Sequence, residues 1–182
     1  MKSTICTAGG RFIDLMNPTA DDIDIYDICR ALSRIARFNG HTLCEWSVAQ
    51  HSLLVYDIVA ASGTTPAEQL HALLHDAHEA YIGDMVSPLK AQIPEFKRFE
   101  KLFDKAIGER FNIDLSASRG IVKDADRLAL EAESHLVRPP QARSGDFNKR
   151  IYDLAYARCW VERGRTVFDM YDVANKLFVA NS

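Results

Sequence analysis

LHALLHDAHEAYIGD, residues 70–84, is the stretch that decides the fold. Its Leu, Ala and Glu residues favour a helix, its apolar residues recur at helical spacing, and Gly83 ends it. On such a helix His75 and Glu79 are one turn apart, and Asp76 lies on the same side, about 60° from Glu79. Burying these groups is costly unless something compensates, and a metal ion is the usual compensation. The alternative is a histidine-rich helix with one solvated face.

Two further helices carry polar side chains on apolar faces. In WSVAQHSLLVYDIV, residues 46–59, His51 shares a helical side with apolar residues. A lone histidine there is usually a satisfied core residue, but a His-Asp pair on the next helix favours a metal ligand. Asp126 points inward on a later helix and needs a partner, which is either a metal ion or Lys123 one turn earlier. Two imidazoles and two carboxylates make a nitrogen–oxygen site with positions open for water and substrate.

The bulk composition is that of an ordinary globular protein. The 182 residues are 47% hydrophobic and 26% charged, which predicts one domain over residues 1–182. No membrane span or secretory signal is evident, so we expect a cytoplasmic protein. The net charge of −3 argues against a nucleic-acid polymer as partner. The four cysteines form no Cys-x-x-Cys pair, so we expect reduced thiols and a metal held by nitrogen and oxygen.

The element pattern predicts an all-α bundle with a short extended arm or hairpin near residues 9–17. The first helix begins near residue 19 and continues to Phe38. The last two helices are expected at about 148–163 and 166–180, separated by Gly164, and serve to complete the bundle or contact another subunit. The chemistry-bearing core spans about residues 24–135.

The order His51, His75-Asp76, Asp126 resembles the H…HD…D motif of the HD superfamily of metal-dependent phosphohydrolases. The flanking segments RFNGHT (37–42), SVAQHS (47–52), HDAHEAYIGD (75–84), SPLK (87–90) and KDAD (123–126) resemble its nucleotidase-like branch. Several flanking residues and the short chain are also similar to small phage dATP triphosphohydrolases. The resemblance implies a single HD-domain helical bundle, and for a phage protein the compartment is the host cytoplasm.

The resemblance also implies residue roles. The metal ligands are His51, His75, Asp76 and Asp126. Glu79 matches the catalytic glutamate, and Asp84 matches an acid that holds water or substrate. Arg37, Lys90 and Lys123 match residues that contact phosphate oxygens. Phe38 stands where 5′-deoxynucleotidases carry a tryptophan against the sugar, a departure from the pattern. Phe38, Trp46 and the arm at 11–15 are candidate walls for the base.

The preferred function is a dATP or general dNTP triphosphohydrolase. A hydroxide bound to Zn, Co or Mn would attack the α-phosphorus and release deoxynucleoside and triphosphate. A second divalent ion such as Mg²⁺ enters with the polyphosphate. The alternatives are a 5′-deoxynucleotidase acting on dNMPs, an enzyme of bis-pyrophosphorylated nucleotides, and a non-catalytic metal-binding scaffold. Small enzymes of this kind are commonly oligomers, so a homo-oligomer is expected.

Overall fold

The computed structural model describes residues 3–115 and 119–181. It begins with an antiparallel hairpin of β1 (Thr4–Cys6) and β2 (Phe12–Asp14), in which Ile5 pairs with Ile13. The extended arm is therefore confirmed, although its first strand lies before the predicted range. The helices that follow are α1 (Ile25–Leu32), α2 (Val48–Ala60), α3 (Pro66–Leu74), α4 (Glu79–Ile82), α5 (Ser87–Lys90), α6 (Phe96–Phe111), α7 (Arg119–Val137), α8 (Lys149–Cys159) and α9 (Arg163–Asn181). Short 3₁₀ turns lie at Ala20–Asp22, Arg37–Gly40 and Pro140–Ala142.

The fold is all-α, as predicted, and α2 is its central helix. Ser47 caps α2 by accepting a hydrogen bond from the Gln50 amide, and ten residues of this helix are buried. One face of α2 packs with α3, α6 and α9, where Leu53, Leu73 and Phe103 are fully buried or nearly so. The opposite face packs with α7 and α8 through Leu54 and Ala129. Burial on both faces places His51 in the interior.

The predicted first helix is too long, because α1 ends at Leu32. Beyond it, the Arg37 amide donates to the Trp46 carbonyl (2.9 Å) and the Val48 amide donates to the Ile35 carbonyl (3.0 Å). These bonds hold residues 35–37 extended against the start of α2. The chain then turns through left-handed conformations at Phe38 (φ 54°) and Asn39 (φ 51°).

The predicted continuous helix over 70–84 is interrupted between α3 and α4. The His75 ring Nδ1 donates to the Ala72 carbonyl (2.8 Å), which occupies an acceptor that the helix ladder would use. The following amides bond three residues back, as from Glu79 to the Asp76 carbonyl (3.0 Å). This 3₁₀ spacing places residues three apart above one another, so Asp76 and Glu79 stay on one side.

Gly164 does not separate the last two helices, because it lies in the first turn of α9 and the break falls at residues 160–162. The face of α9 that carries Met170, Ala174 and Leu177 is buried. Bundle completion is thus the role of this helix. Within the described ranges, no helix combines the length and apolar content needed to cross a bilayer.

Candidate metal centre and active site

Three of the four predicted metal ligands, His51, His75 and Asp126, bring one donor atom each within 4.8 Å of one another, and Asp76 lies beside both histidines. His51 Nε2 lies 3.3 Å from His75 Nε2, 3.1 Å from Asp126 Oδ1 and 3.6 Å from Asp76 Oδ2. His75 Nε2 lies 3.2 Å from the same Asp76 oxygen. Four donors at about 2.05 Å from a tetrahedral ion are about 3.3 Å apart. The donor atoms of His51, His75 and Asp126 could therefore hold one divalent metal ion, with Asp76 beside them.

The outer nitrogens of both imidazoles are bonded away from this point. His51 Nδ1 donates to Glu133 Oε1 (2.5 Å), and His75 Nδ1 donates to the Ala72 carbonyl (2.8 Å). In the neutral ring this tautomer leaves the lone pair on Nε2, so both lone pairs face the centre. Such an outer carboxylate or carbonyl partner is what metal-binding histidines usually have. The donor chemistry therefore fits a metal as well as the distances do.

Burial and the neighbouring charges have opposing effects on the pKa values of the ligand residues. Burial and Arg37 disfavour a proton on His51, but Glu133 and Asp126 prevail and raise its pKa to about 9. Burial disfavours the Asp76 carboxylate, yet His75 and His51 hold its pKa well below the usual range. A proton and a metal ion would compete for the same His51 nitrogen.

Glu79 and Asp84 line the same cavity as Asp76 and Asp126. Glu79 begins α4 and is 4% exposed. Burial, followed by the charges of Asp76 and Asp84, raises the pKa of Glu79 to about 9. Burial also raises the pKa of Asp84. Burial and the neighbouring carboxylates thus favour the protonated form of Glu79, a form that can donate a proton.

A cavity of about 530 Å³ opens over this centre. Its lining includes Arg37, Phe38, His41, Asp76, Glu79, Asp84, Met85, Val86, Lys90, Asp126, Leu130 and Arg138. The lining combines carboxylates, which include Asp76 and Asp126 of the centre, with cations and the aromatic face of Phe38. A cavity of this size accommodates a small organic phosphate.

Two of the predicted phosphate-binding residues line the cavity, and both are already paired with carboxylates. Arg37 Nε donates to Glu133 (3.1 Å), and its Nη1 lies 3.8 Å from Asp76. Lys90 Nζ lies 2.6 Å from Glu100. The positive charge of Arg37 and of Lys90 is therefore divided between a bound ligand and a carboxylate of the protein.

Three predicted contacts do not lie at the cavity. Lys123 is exposed on α7 and does not line it. Trp46 is 2% exposed and packs in the core with Leu54, because the pairing of residues 35–37 with 46–48 directs it inward. The arm at 11–15 also lies elsewhere, since Arg11 is paired with Asp24 (3.1 Å) on the α1 side.

The sequence prediction missed two residues of the site. Glu133 is fully buried and bridges His51 and Arg37. It lies seven residues after Asp126 on α7, two turns along the same face, and this spacing could have identified it. Arg138 follows α7 directly and lines the outer cavity. No periodic signal marks a residue beyond a helix end.

The buried His78 has a structural environment of its own. Its Nδ1 lies 2.9 Å from Asp104 on α6, and its Nε2 lies 3.6 Å from Glu100. Burial opposes its charge, but Asp104 raises its pKa. His78 therefore ties the segment between α3 and α4 to α6.

The comparisons with known proteins give two relatives. An uncharacterized protein of Rhodobacter capsulatus is 41% identical over 136 residues, covering 68% of this chain and 68% of the relative. The uncharacterized protein YfdR of Escherichia coli (strain K12) is 39% identical over 132 residues, covering 72% of this chain and 70% of YfdR. No family model matches the chain.

Proposed function

The chain belongs to the family that includes Escherichia coli YfdR, and we propose that it is a metal-dependent phosphohydrolase of deoxynucleotides. One observation carries the proposal. The Nε2 atoms of His51 and His75 lie 3.3 Å apart, with both Nδ1 atoms bonded outward and two carboxylates beside them. This arrangement stands at the inner end of a cavity that also holds an acid and cations.

His51, His75, Asp76 and Asp126 would hold the metal, with Zn²⁺, Co²⁺ or Mn²⁺ suited to this donor set. When bound, the ion would screen phosphate charge and acidify a coordinated water. A second divalent ion such as Mg²⁺ belongs to the proposal, since Mg²⁺ binds through carboxylates together with substrate phosphates.

The side chains around the centre have separate tasks in this proposal. Arg37 and Lys90 orient phosphate oxygens and stabilise the negative charge that grows on them. Glu79, whose pKa is raised by burial and by neighbouring carboxylates, donates a proton to the departing 5′ oxygen. Asp84 accepts a hydrogen bond from the attacking water. The preferred reaction joins water to the α-phosphorus of dATP or another dNTP and releases deoxynucleoside and triphosphate.

A 5′-deoxynucleotidase acting on dNMPs is the second candidate, and the ion pairs favour it. Arg37 and Lys90 are shared with acids, and Lys123 does not line the cavity. The three cations that the sequence assigned to phosphate therefore offer less unshared charge than expected, although Arg138 also lines the cavity. A purely structural metal site explains neither the cavity nor a buried acid within it, so it ranks below both enzymes.

Chromatographic product analysis tests the proposal. The purified chain is incubated with each dNTP and each dNMP in the presence of Zn²⁺, Co²⁺, Mn²⁺ or Mg²⁺. Intact triphosphate from dNTPs supports the preferred reaction, and inorganic phosphate from dNMPs alone supports the second. The matched variants are Asp126→Ala and Asp124→Ala, because Asp124 is exposed two residues away on α7. Turnover that survives Asp126→Ala, or no turnover in the native chain, would refute the metal-dependent mechanism.

A further inference from the structure

Arg138 occupies the outer end of the cavity and is held against an aromatic ring. It is partly buried, and its guanidinium carbon lies 5.4 Å from the centroid of the Phe38 ring. Guanidinium groups pack over aromatic faces through cation–π attraction. Phe38 is itself fixed by the left-handed turn at residues 38–40. This contact favours a position of the guanidinium beside Phe38 in the cavity lining.

Among the described residues that line the cavity, Arg138 is the cation without a carboxylate partner. Arg37 is bonded to Glu133, and Lys90 is bonded to Glu100. No carboxylate oxygen in the described ranges lies within 4.0 Å of the Arg138 guanidinium. Its donors thus remain available, and their planar fork matches two phosphate oxygens.

Arg138 lies well away from the metal ligands. It follows Asp126 by 12 positions along and just beyond α7, a rise of about 18 Å at the backbone. Arg37 lies closer to the ligands, because its Nη1 is 3.8 Å from Asp76, and its guanidinium carbon is 5.5 Å from the Phe38 ring. Phe38 thus contacts both Arg37, which is paired beside the metal ligands, and Arg138, whose backbone lies farther along the chain.

We propose that Arg138 binds the terminal phosphates of a polyphosphate chain and so selects nucleoside triphosphates over monophosphates. This rests on the proposed function, which places the scissile phosphorus at the metal centre. The cavity walls otherwise offer a polyphosphate only cations shared with acids. The Arg138 guanidinium supplies positive charge for the outer phosphates of a triphosphate. A monophosphate bound at the metal centre is too short to reach it.

Calorimetric titration with inorganic tripolyphosphate and with orthophosphate tests this without turnover. Both are added to metal-loaded native chain, to Arg138→Gln and to Arg143→Gln, in one buffer so that chelation affects all three equally. Arg143 is exposed and does not line the cavity, so its variant matches the charge change. Arg138→Gln should bind tripolyphosphate about 10-fold more weakly or worse, with orthophosphate changed less than 2-fold. Arg138→Lys keeps the charge without the fork and should fall between.

The outcomes separate this inference from the proposed function. A selective loss of tripolyphosphate binding in Arg138→Gln supports the inference even where no nucleotide is hydrolysed. Equal binding by Arg138→Gln and Arg143→Gln overturns it even where nucleotides are hydrolysed. Deoxyadenosine is titrated in the same way, and a loss of its affinity without a loss for tripolyphosphate would assign Arg138 to the nucleoside and also overturn the inference. Thermal unfolding shows whether each variant is folded. If Arg138→Gln does not fold, the affinity of Arg138→Lys for tripolyphosphate is compared with that of the native chain instead.

Discussion

Replacing Glu133 with Gln should weaken both the fold and the metal centre. The Glu133 carboxylate is fully buried, lies 2.5 Å from His51 Nδ1 and accepts a hydrogen bond from Arg37 Nε at 3.1 Å. His51 is equally buried. The amide keeps the size of the side chain and one acceptor for His51, but it removes the charge that balances Arg37.

The size of the effect follows from this burial. Breaking a buried ion pair by removing one partner costs about 3–5 kcal/mol, so Glu133→Gln should lower the free energy of unfolding by about 3 kcal/mol. With a urea dependence of about 2 kcal/mol per M, the midpoint falls by about 1.5 M. Loss of the carboxylate behind a metal-binding histidine typically weakens metal binding by about 10- to 100-fold.

Urea unfolding in EDTA and competitive Zn²⁺ titration measure the two effects separately. The matched control is Glu131→Gln on the same helix, where Glu131 pairs with exposed Arg127 at 2.7 Å. A surface pair is worth less than about 1 kcal/mol, so this variant should stay near the native chain in both assays. The reasoning is refuted if Glu133→Gln matches Glu131→Gln in unfolding midpoint and in Zn²⁺ affinity.

Four other results are expected. Zn²⁺ at 100 times its Kd should stabilise the native chain by about 2.7 kcal/mol in thermal unfolding, and an equal gain in Asp76→Ala would place the ion elsewhere. In EDTA the native chain should lose stability relative to Glu79→Gln as pH rises from about 4.3 to 9. The reason is that folding raises the pKa of Glu79, so the folded state keeps this proton to higher pH than the unfolded state does. A constant difference between the urea midpoints of the two chains at pH 5, 7 and 9 would contradict this. Trp46→Phe should lower the free energy of unfolding in urea by about 2 kcal/mol and leave the KM for nucleotides unchanged, since Trp46 is buried outside the cavity. A raised KM would show that Trp46 contacts the substrate after all. Light scattering should give a multiple of the 20.5 kDa chain mass, and a mass of one chain would reject self-association.

The clustering of His51, His75 and Asp126 was predictable because such polar side chains break a local rule. His51, Asp76 and Asp126 are polar side chains on faces that otherwise carry apolar residues, and helical spacing gives their directions. The all-α class follows from the same periodicity. These inferences need only the geometry of single helices, which the sequence encodes directly.

The walls of the cavity depend instead on how separate segments pair. Phe38 reaches the cavity and Trp46 turns into the core because residues 35–37 bond to residues 46–48. No periodicity within either segment gives that pairing. Lys123 shares the helix of Asp126, yet it does not line the cavity. Helical proximity to a ligand therefore does not make a residue part of the site.

The ion pair between Arg37 and Glu133 links the assembly of the site to that of the fold. Its partners are 96 positions apart in the chain, and both are largely or fully shielded from water. Arg37 can reach Glu133 only when residues 35–37 are paired with the start of α2, and Glu133 can reach His51 only when α7 packs on α2. A buried charge left unpaired is costly, so partial assembly of these segments is penalised. His51 on α2 and Asp126 on α7 are thus brought together by the same contacts that neutralise the charges behind them.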